Sequence, residues 1–265
     1  MQSRHTDKKL YFKEQVYTTE KYVIPFISKA AVIDSGTSVL EIGCGEGGNL
    51  KPFLDLGCRV TGIDLSQSKI ENAGIFFRDH PYFDRATFIV KDIFLAENEL
   101  REKFDLIIMR DVIEHIHDQL RFMGFVKQFL KPGGKFFIAF PPWYNPFGGH
   151  QQVSSSKILS KLPYFHLLPK NIYKFILKTG GESREKIEGF LEIKETGISI
   201  ERFKKILRTH HYKIILETLY FINPNYQIKF GLKPRKQILL ITAIPFFRNF
   251  LVTACYYLIE TVDGK

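Results

Sequence analysis

Apolar positions in the first half of the chain fall into short runs separated by amphipathic stretches. The runs are Ser38–Ile42 (SVLEI), Arg59–Ile63 (RVTGI), Thr87–Val90 (TFIV), Asp105–Met109 (DLIIM) and Lys135–Phe140 (KFFIAF). Each has the length and the near-continuous apolar character of a strand buried on both faces. Between the first two, in GGNLKPFLDLG, Leu50, Phe53 and Leu54 share one helical face and Gly57 supplies the stop. Ser66 opens SQSKIENAGIFFRDHP as an N-cap. Gln119–Leu130 predicts another helix, followed by a turn at KPGG (Lys131–Gly134). Strands alternating with helices predict an α/β fold with a doubly wound, mostly parallel sheet.

The alternation stops after Pro141 and Pro142. Residues 143–197 are aromatic and basic without a clean strand, which predicts a helical insertion after strand five. Regularity returns with a helix at Ser199–Arg208, a strand at Tyr212–Phe221 and a last strand at Phe250–Ile259, making seven strands. This reading divides the chain into a cofactor-binding part (1–142), an acceptor-site insertion (143–198) and a C-terminal completion of the same domain (199–265).

Composition narrows the class. With 45 % hydrophobic and 25 % charged residues among 265, the chain is ordinary globular protein, and disorder is excluded. Cys44, Cys58 and Cys255 form no C-x-x-C pair, which argues against a disulfide framework or a structural zinc. The first twenty residues lack an apolar run, so a cytoplasmic enzyme is expected rather than a secreted one. Gln237–Phe247 and Phe250–Ile259 each fall short of the ~18–20 residues a bilayer crossing needs. Pro245, Arg248 and Asn249 also break the pair, so no membrane span is expected.

The net charge of +10 is unevenly placed. Residues 1–150 balance at 19 basic and 19 acidic groups, whereas residues 151–249 carry 18 basic against 7 acidic. That segment favours anionic partners. No block of six basic residues occurs, which disfavours nucleic acid.

The first strand runs into EIGCGEGG (Glu41–Gly48), a glycine turn ahead of a helix. Gly43, Gly45 and Gly48 satisfy G-x-G-x-x-G, and the loop alone does not separate NAD(P) from other adenosine cofactors. Three acids add discrimination. Glu41, two residues before the first glycine, would repel a pyrophosphate but suits an ammonium group or positive sulfur. Asp64 ends strand two and can accept from both hydroxyls of a ribose. Asp92, after strand three, is placed for the exocyclic amine of adenine beside Ile93.

The set VLEIGCGEGGNL, VTGIDLS, the Asp after FIV, FDLIIMRDVIEHIHD and LKPGGKFFIAF closely resembles the Rossmann-like, class I S-adenosylmethionine-dependent methyltransferases over residues 35–142. The resemblance implies that Glu41, Gly43, Cys44 and Gly45 cradle the methionine part of S-adenosylmethionine. It assigns the ribose to Asp64 with Leu65 beside it, and the adenine to Asp92 and Ile93. Arg110 and Asp111 would line the cofactor from the other side. It also implies an antiparallel hairpin at the sheet's end, here with unusually distant strands.

Methyl transfer to a hydroxyl gains from a general base. In DVIEHIHD (Asp111–Asp118) the resemblance to small-molecule O-methyltransferases makes His115 the first candidate, with Glu114 as its orienter or a metal ligand. A complete metal site is not assigned. Glu114 and His115 could equally cap a helix and bond locally. His150, beyond strand five, is the second candidate base. Trp143, Tyr144 and Phe147 around it could wall an acceptor pocket or pack the insertion onto the sheet. Aromatic and basic residues together fit an anionic lipid or isoprenoid, an acidic sugar or an aromatic acid. They also fit peripheral docking on an anionic membrane, through Leu239, Leu240, Phe246 and Phe247 flanked by Lys233, Arg235, Lys236 and Arg248. An NAD(P)-dependent oxidoreductase and a non-catalytic cofactor-binding module remain as alternatives.

Overall fold

In the computed structural model, which describes residues 7–262, the chain enters through helix α1 (Lys8–Thr18), capped by Asp7 accepting from the Leu10 N–H. A π-helical turn, Thr19–Val23, joins it to α2 (Ile24–Ile27). Next come β1 (Ser38–Ile42), α3 (Lys51–Asp55), β2 (Arg59–Asp64), α4 (Gln67–Phe77) and β3 (Ala86–Val90). They are followed by α5 (Glu97–Leu100), β4 (Phe104–Arg110), α6 (Gln119–Val126) and β5 (Leu130–Phe140). The insertion carries α7 (Lys170–Thr179) and α8 (Arg184–Thr196). The chain closes with α9 (Ile200–Thr209), β6 (Tyr212–Ile222), α10 (Asn225–Phe230), β7 (Arg235–Lys236), α11 (Leu239–Thr242) and β8 (Ala254–Thr261).

The strands form one sheet in the order β3-β2-β1-β4-β5-β8-β6-β7. The first five in that order are parallel, and β8 is antiparallel to both β5 and β6. This is the doubly wound architecture expected, with one addition. The sheet has eight strands instead of seven, because the β6–β8 connection returns along the free edge and pairs Lys236 with Tyr220 and Arg235 with Ile222. A two-residue strand has too little pattern to read from sequence, and its cations blunt the exposed edge.

Alternation sorts the strand side chains to two faces. Phe136, Ile138 and Phe140 of β5 join Tyr257 and Ile259 of β8 in a core covered by α6 and α9. Phe137 and Ala139 join Tyr256 and Leu258 in the opposite core, covered by α2, α3 and α4. The insertion has a smaller cluster of its own around Leu159, Phe165, Tyr173 and Phe190.

Four local expectations shift. The helix starting at Gln119 ends at Val126 and tightens into a 3-10 turn, Lys127–Phe129. The Lys131–Gly134 stretch is carried within β5, with a register shift opposite Phe104/Leu106. The last strand begins at Ala254, four residues later than Phe250, because Phe247–Leu251 forms a 3-10 turn. Buried Asn249 pins that turn, accepting from Ile200 N–H at 2.8 Å and donating to Glu201 Oε2 at 2.5 Å. Ser66 precedes α4 with extended backbone, but its hydroxyl contacts Ser68 and makes no cap bond.

All five parallel strands end at the same edge, where ligands bind in doubly wound folds. The insertion leaves β5 there after Phe140. Since β6 runs antiparallel to β8, whose start pairs with the end of β5, the β6–β8 connection leaves from that edge too.

Candidate functional site

A cavity of about 740 Å³ opens at this carboxyl edge, within the size range of ligand pockets. Its floor is the glycine loop. Gly43, Gly45 and Gly47 have φ of +72°, +54° and +80°, the left-handed region that glycine enters without steric cost. At Gly48 an added Cβ would lie 2.8 Å from the Phe12 carbonyl oxygen, so α1 is clamped directly on the loop.

Asp64, Leu65, Asp92, Ile93, Arg110 and Asp111 all line the cavity, as expected of strand ends. Asp64 accepts from Gly45 N–H and Ser66 N–H, both at 2.9 Å, one bond to each oxygen. A carboxylate has about four lone-pair sites, so both oxygens keep capacity for ligand hydroxyls. Asp92 accepts from Phe94 N–H at 2.9 Å, which orients its carboxylate at the end of β3. Asp111 adopts φ +55°, an unusual conformation for a residue with a side chain, at the cavity wall.

Glu41 and Cys44 sit deeper. Cys44 is packed in the core under the loop, where burial pushes its thiol well up, and it is not among the cavity-lining residues. Glu41 is buried and accepts from Asn49 Nδ2 at 2.6 Å, while its other oxygen has no hydrogen-bond partner among the described residues. Burial pushes its carboxyl up to about 8, against the lowering influence of Asn49 and Arg110. Arg110 donates to Asn49 Oδ1 at 2.5 Å, to Thr19 Oγ1 at 3.2 Å and to Asn225 Oδ1 at 2.6 Å. One buried network therefore ties β1, the glycine loop, the π-helical turn, β4 and α10.

Sequence reasoning missed that network and the lid above it. Lys8, Tyr11 and Gln15 of α1 line the cavity, and burial followed by the nearby Asp111 raises the Tyr11 phenol. The α1 stretch KKLYFKEQVYT has no clean apolar face, so periodicity gives little warning of it.

His115, at the end of a 3-10 turn (Ile113–His115), lines the cavity. His150 comes from beyond β5, and its ring centroid lies 5.2 Å from that of His115 in an edge-on arrangement. Its Nε2 is 3.9 Å from Oε1 of buried Glu114. The two candidates proposed separately thus belong to one cluster. One ligand atom from each of Glu114, His115 and His150 lies within 4.8 Å of the others, a donor set that could hold a metal ion. Burial, with Asp111 nearby, pushes the Glu114 carboxyl well up, and burial lowers the His115 imidazole.

The insertion supports this cluster from behind. Thr196, at the end of α8, donates to the Glu114 carbonyl at 2.5 Å, and Gln119 bridges the carbonyls of Ile113 (3.0 Å) and Thr196 (2.6 Å). Trp143, Tyr144 and Phe147 are not among the cavity-lining residues. Trp143 packs against His166 at 4.7 Å between ring centroids, and Tyr144 against Phe250 at 5.5 Å. Those two aromatics pack the insertion and the β6–β8 connection together. His166, read as structural, is buried and bonded to the Trp143 carbonyl at 2.9 Å.

Residues 13–155, more than half of the chain, match the family described as "Methyltransferase domain". The chain belongs to that family. A ubiquinone biosynthesis O-methyltransferase of Bradyrhizobium sp. (strain ORS 278) is 37 % identical to it over 107 residues, 40 % of each chain. One of Brucella anthropi is 38 % identical over 108 residues, 39 % of this chain and 41 % of that one. The methyltransferase-domain chain thus matches about two fifths of the length of these relatives. The geranyl diphosphate C-methyltransferase of Streptomyces coelicolor A3(2), solved with Mg2+, geranyl diphosphate and S-adenosyl-L-homocysteine, superposes with a TM-score of 0.57 at 12 % identity. That match covers 93 % of this chain and 80 % of the other. The plantazolicin methyltransferase BamL gives a TM-score of 0.55 at 14 % identity, covering 98 % and 88 %. At these identities the likeness is one of fold. The family match takes in the glycine loop, the strand-end acids and both histidines of the methyltransferase domain, and leaves α7 to α11 outside it.

Proposed function

We propose that this chain uses S-adenosylmethionine to methylate an oxygen atom of a small or lipid-like, anionic acceptor. The reading is carried by the acids at one cavity. Asp64 and Asp92 face it with lone pairs to spare, and Glu41 below the glycine loop keeps a buried oxygen unpartnered. A ligand with ribose hydroxyls, an adenine amine and a cationic tail satisfies all three. A dinucleotide would bring its anionic pyrophosphate toward Glu41 and oppose ionisation of that carboxyl instead of pairing with it, which disfavours the oxidoreductase alternative.

S-adenosylmethionine supplies an activated methyl group on a sulfonium. The protein's work is then to align the acceptor, exclude water and manage one proton. Partial desolvation holds His115 below its ordinary 6.5, so at neutral pH this cavity-lining imidazole is in the form that can take the acceptor's hydroxyl proton. His150 and Glu114 stand behind it to orient the ring. Burial and then the nearby Asp111 push the Glu114 carboxyl well up, which disfavours a full negative charge beside the imidazole. Tyr11 and Gln15 of α1 form part of the cavity wall.

Transfer to oxygen is supported by the ubiquinone biosynthesis O-methyltransferases among the relatives. No helix among the described residues is long and apolar enough to cross a membrane, so contact with a lipid acceptor would be peripheral. The test is incubation with methyl-labelled S-adenosylmethionine and an extract of the source organism, partitioned into organic, aqueous and macromolecular fractions. Label in the organic phase is expected. Label confined to macromolecules would overturn the acceptor class, and no transfer at all would overturn the activity.

A further inference from the structure

The β6–β8 connection presents apolar side chains to solvent at the cavity's own edge of the sheet. Leu239 is 86 % exposed, Leu240 72 %, Phe246 69 % and Ile238 60 %. An enclosed core or a preformed groove would cover them; here they protrude from a short helix and the turn after it. The protrusion is held in place from below. Gln237 donates through its backbone to the Leu219 carbonyl at 2.8 Å and through its side chain to the Leu251 carbonyl at 2.7 Å. Glu201 accepts from Phe246 N–H and from Arg248 Nε, both at 2.9 Å.

Charge identifies what would cover it. From Thr218 to Ile259 the chain contains no Asp or Glu, while Lys229, Lys233, Arg235, Lys236 and Arg248 fall within the same stretch. Lys233, Arg235 and Lys236 are exposed and make no ion pair among the described residues. Protruding leucines and phenylalanines beside a row of unpaired cations match the acyl boundary and the headgroup layer of an anionic bilayer.

We propose that this surface, Ile238–Phe247 with the flanking Lys233, Arg235 and Lys236, docks the protein on anionic phospholipid membranes. Docking there turns the carboxyl edge, and with it the cavity mouth, toward the lipid phase. The inference rests on the lipid-like acceptor proposed above only for its purpose; the binding itself is independent of catalysis.

The test is co-sedimentation with vesicles of equal parts phosphatidylcholine and phosphatidylglycerol, and with vesicles of phosphatidylcholine alone. The protein should bind the anionic vesicles, and more weakly at high salt. Each surface cation contributes about a fivefold factor, so the triple variant K233Q/R235Q/K236Q should bind on the order of 100-fold more weakly. Leu239→Glu with Leu240→Glu should abolish binding, since both side chains lose their apolar burial. Affinity for S-adenosylhomocysteine should stay unchanged in both variants, which shows that they fold and separates this proposal from the enzymatic one. Equal binding to both vesicle types, or binding unaffected by either variant, would overturn the proposal. So would a wild-type dimer in light scattering that Leu239→Glu with Leu240→Glu dissolves without changing vesicle binding, since the surface would then be a protein interface. Loss of S-adenosylhomocysteine binding in the wild type would instead strike the proposed function.

Discussion

His115, from the turn after β4, and His150, from the stretch after β5, meet with ring centroids 5.2 Å apart, His115 lining the cavity and His150 beside buried Glu114. In the proposed reaction the two histidines differ in role, His115 toward the acceptor and His150 toward the protein. Replacing His115 with Gln should lower turnover by about 10²–10⁴ if it takes the acceptor's proton. Replacing His150 should cost less. Titration calorimetry with S-adenosylhomocysteine should show unchanged affinity in both; equal turnover losses would assign the proton to the pair.

The pH profile follows from burial. Desolvation disfavours the imidazolium form, so the folded pKa of His115 lies below its ordinary 6.5. The active neutral form is therefore retained as pH falls to that ordinary value and is lost only below it. Turnover should be flat through neutrality with an acid limb under about 6.5. A limb centred above 6.5 that vanishes in His115→Gln would contradict the downward shift of this ring at the cavity wall.

Asp64 offers a cleaner test of cofactor geometry. Asp64→Asn keeps the shape of the side chain but replaces one acceptor oxygen with an amide, facing either Gly45 N–H or the ligand. S-adenosylhomocysteine should bind about 1.5–3 kcal/mol more weakly, the scale for hydrogen bonds to a charged group. An unchanged dissociation constant would remove Asp64 from the ribose site.

Glu41 should reveal itself through a proton. Burial holds its carboxyl at about 8 in the free protein, so it is mostly protonated at pH 7. A cationic ligand nearby favours the ionised form, and binding should release a proton. Because the folded value is raised, the free protein loses stability as pH climbs from the ordinary 4.5 toward 8. Calorimetry in two buffers of different ionisation enthalpy measures the release, which Glu41→Gln should eliminate.

The glycine loop tolerates little. At Gly43 an added Cβ would meet Val112 Cγ2 at 2.6 Å, and φ is already +72°. Combining the left-handed penalty with overpacking, Gly43→Ala should cost about 2–4 kcal/mol. Thermal unfolding monitored by circular dichroism would show the drop in Tm; a wild-type Tm would mean that the loop relaxes at no cost.

The central strands, the glycine loop and the strand-end acids were all legible in sequence, and for a local reason. A strand buried on both faces announces itself as an apolar run, its last residue falls at the sheet edge, and Asp64 and Asp92 are therefore placed by counting. The start of the last strand falls four residues later than expected because Asn249, a buried anchor, ties its turn to Ile200 and Glu201 of α9, a distant partner that the local sequence does not show. The α1 lid escaped notice since its residues follow no apolar period and acquire their role only by lying across Gly48. The meeting of His115 with His150, and the buttress of Thr196 behind Glu114, depend on the path of the chain after β5. Apolar periodicity records which side of an element faces the core. It carries no record of which distant loops will share an edge, because that is settled by the sheet order and by packing between elements far apart in the chain.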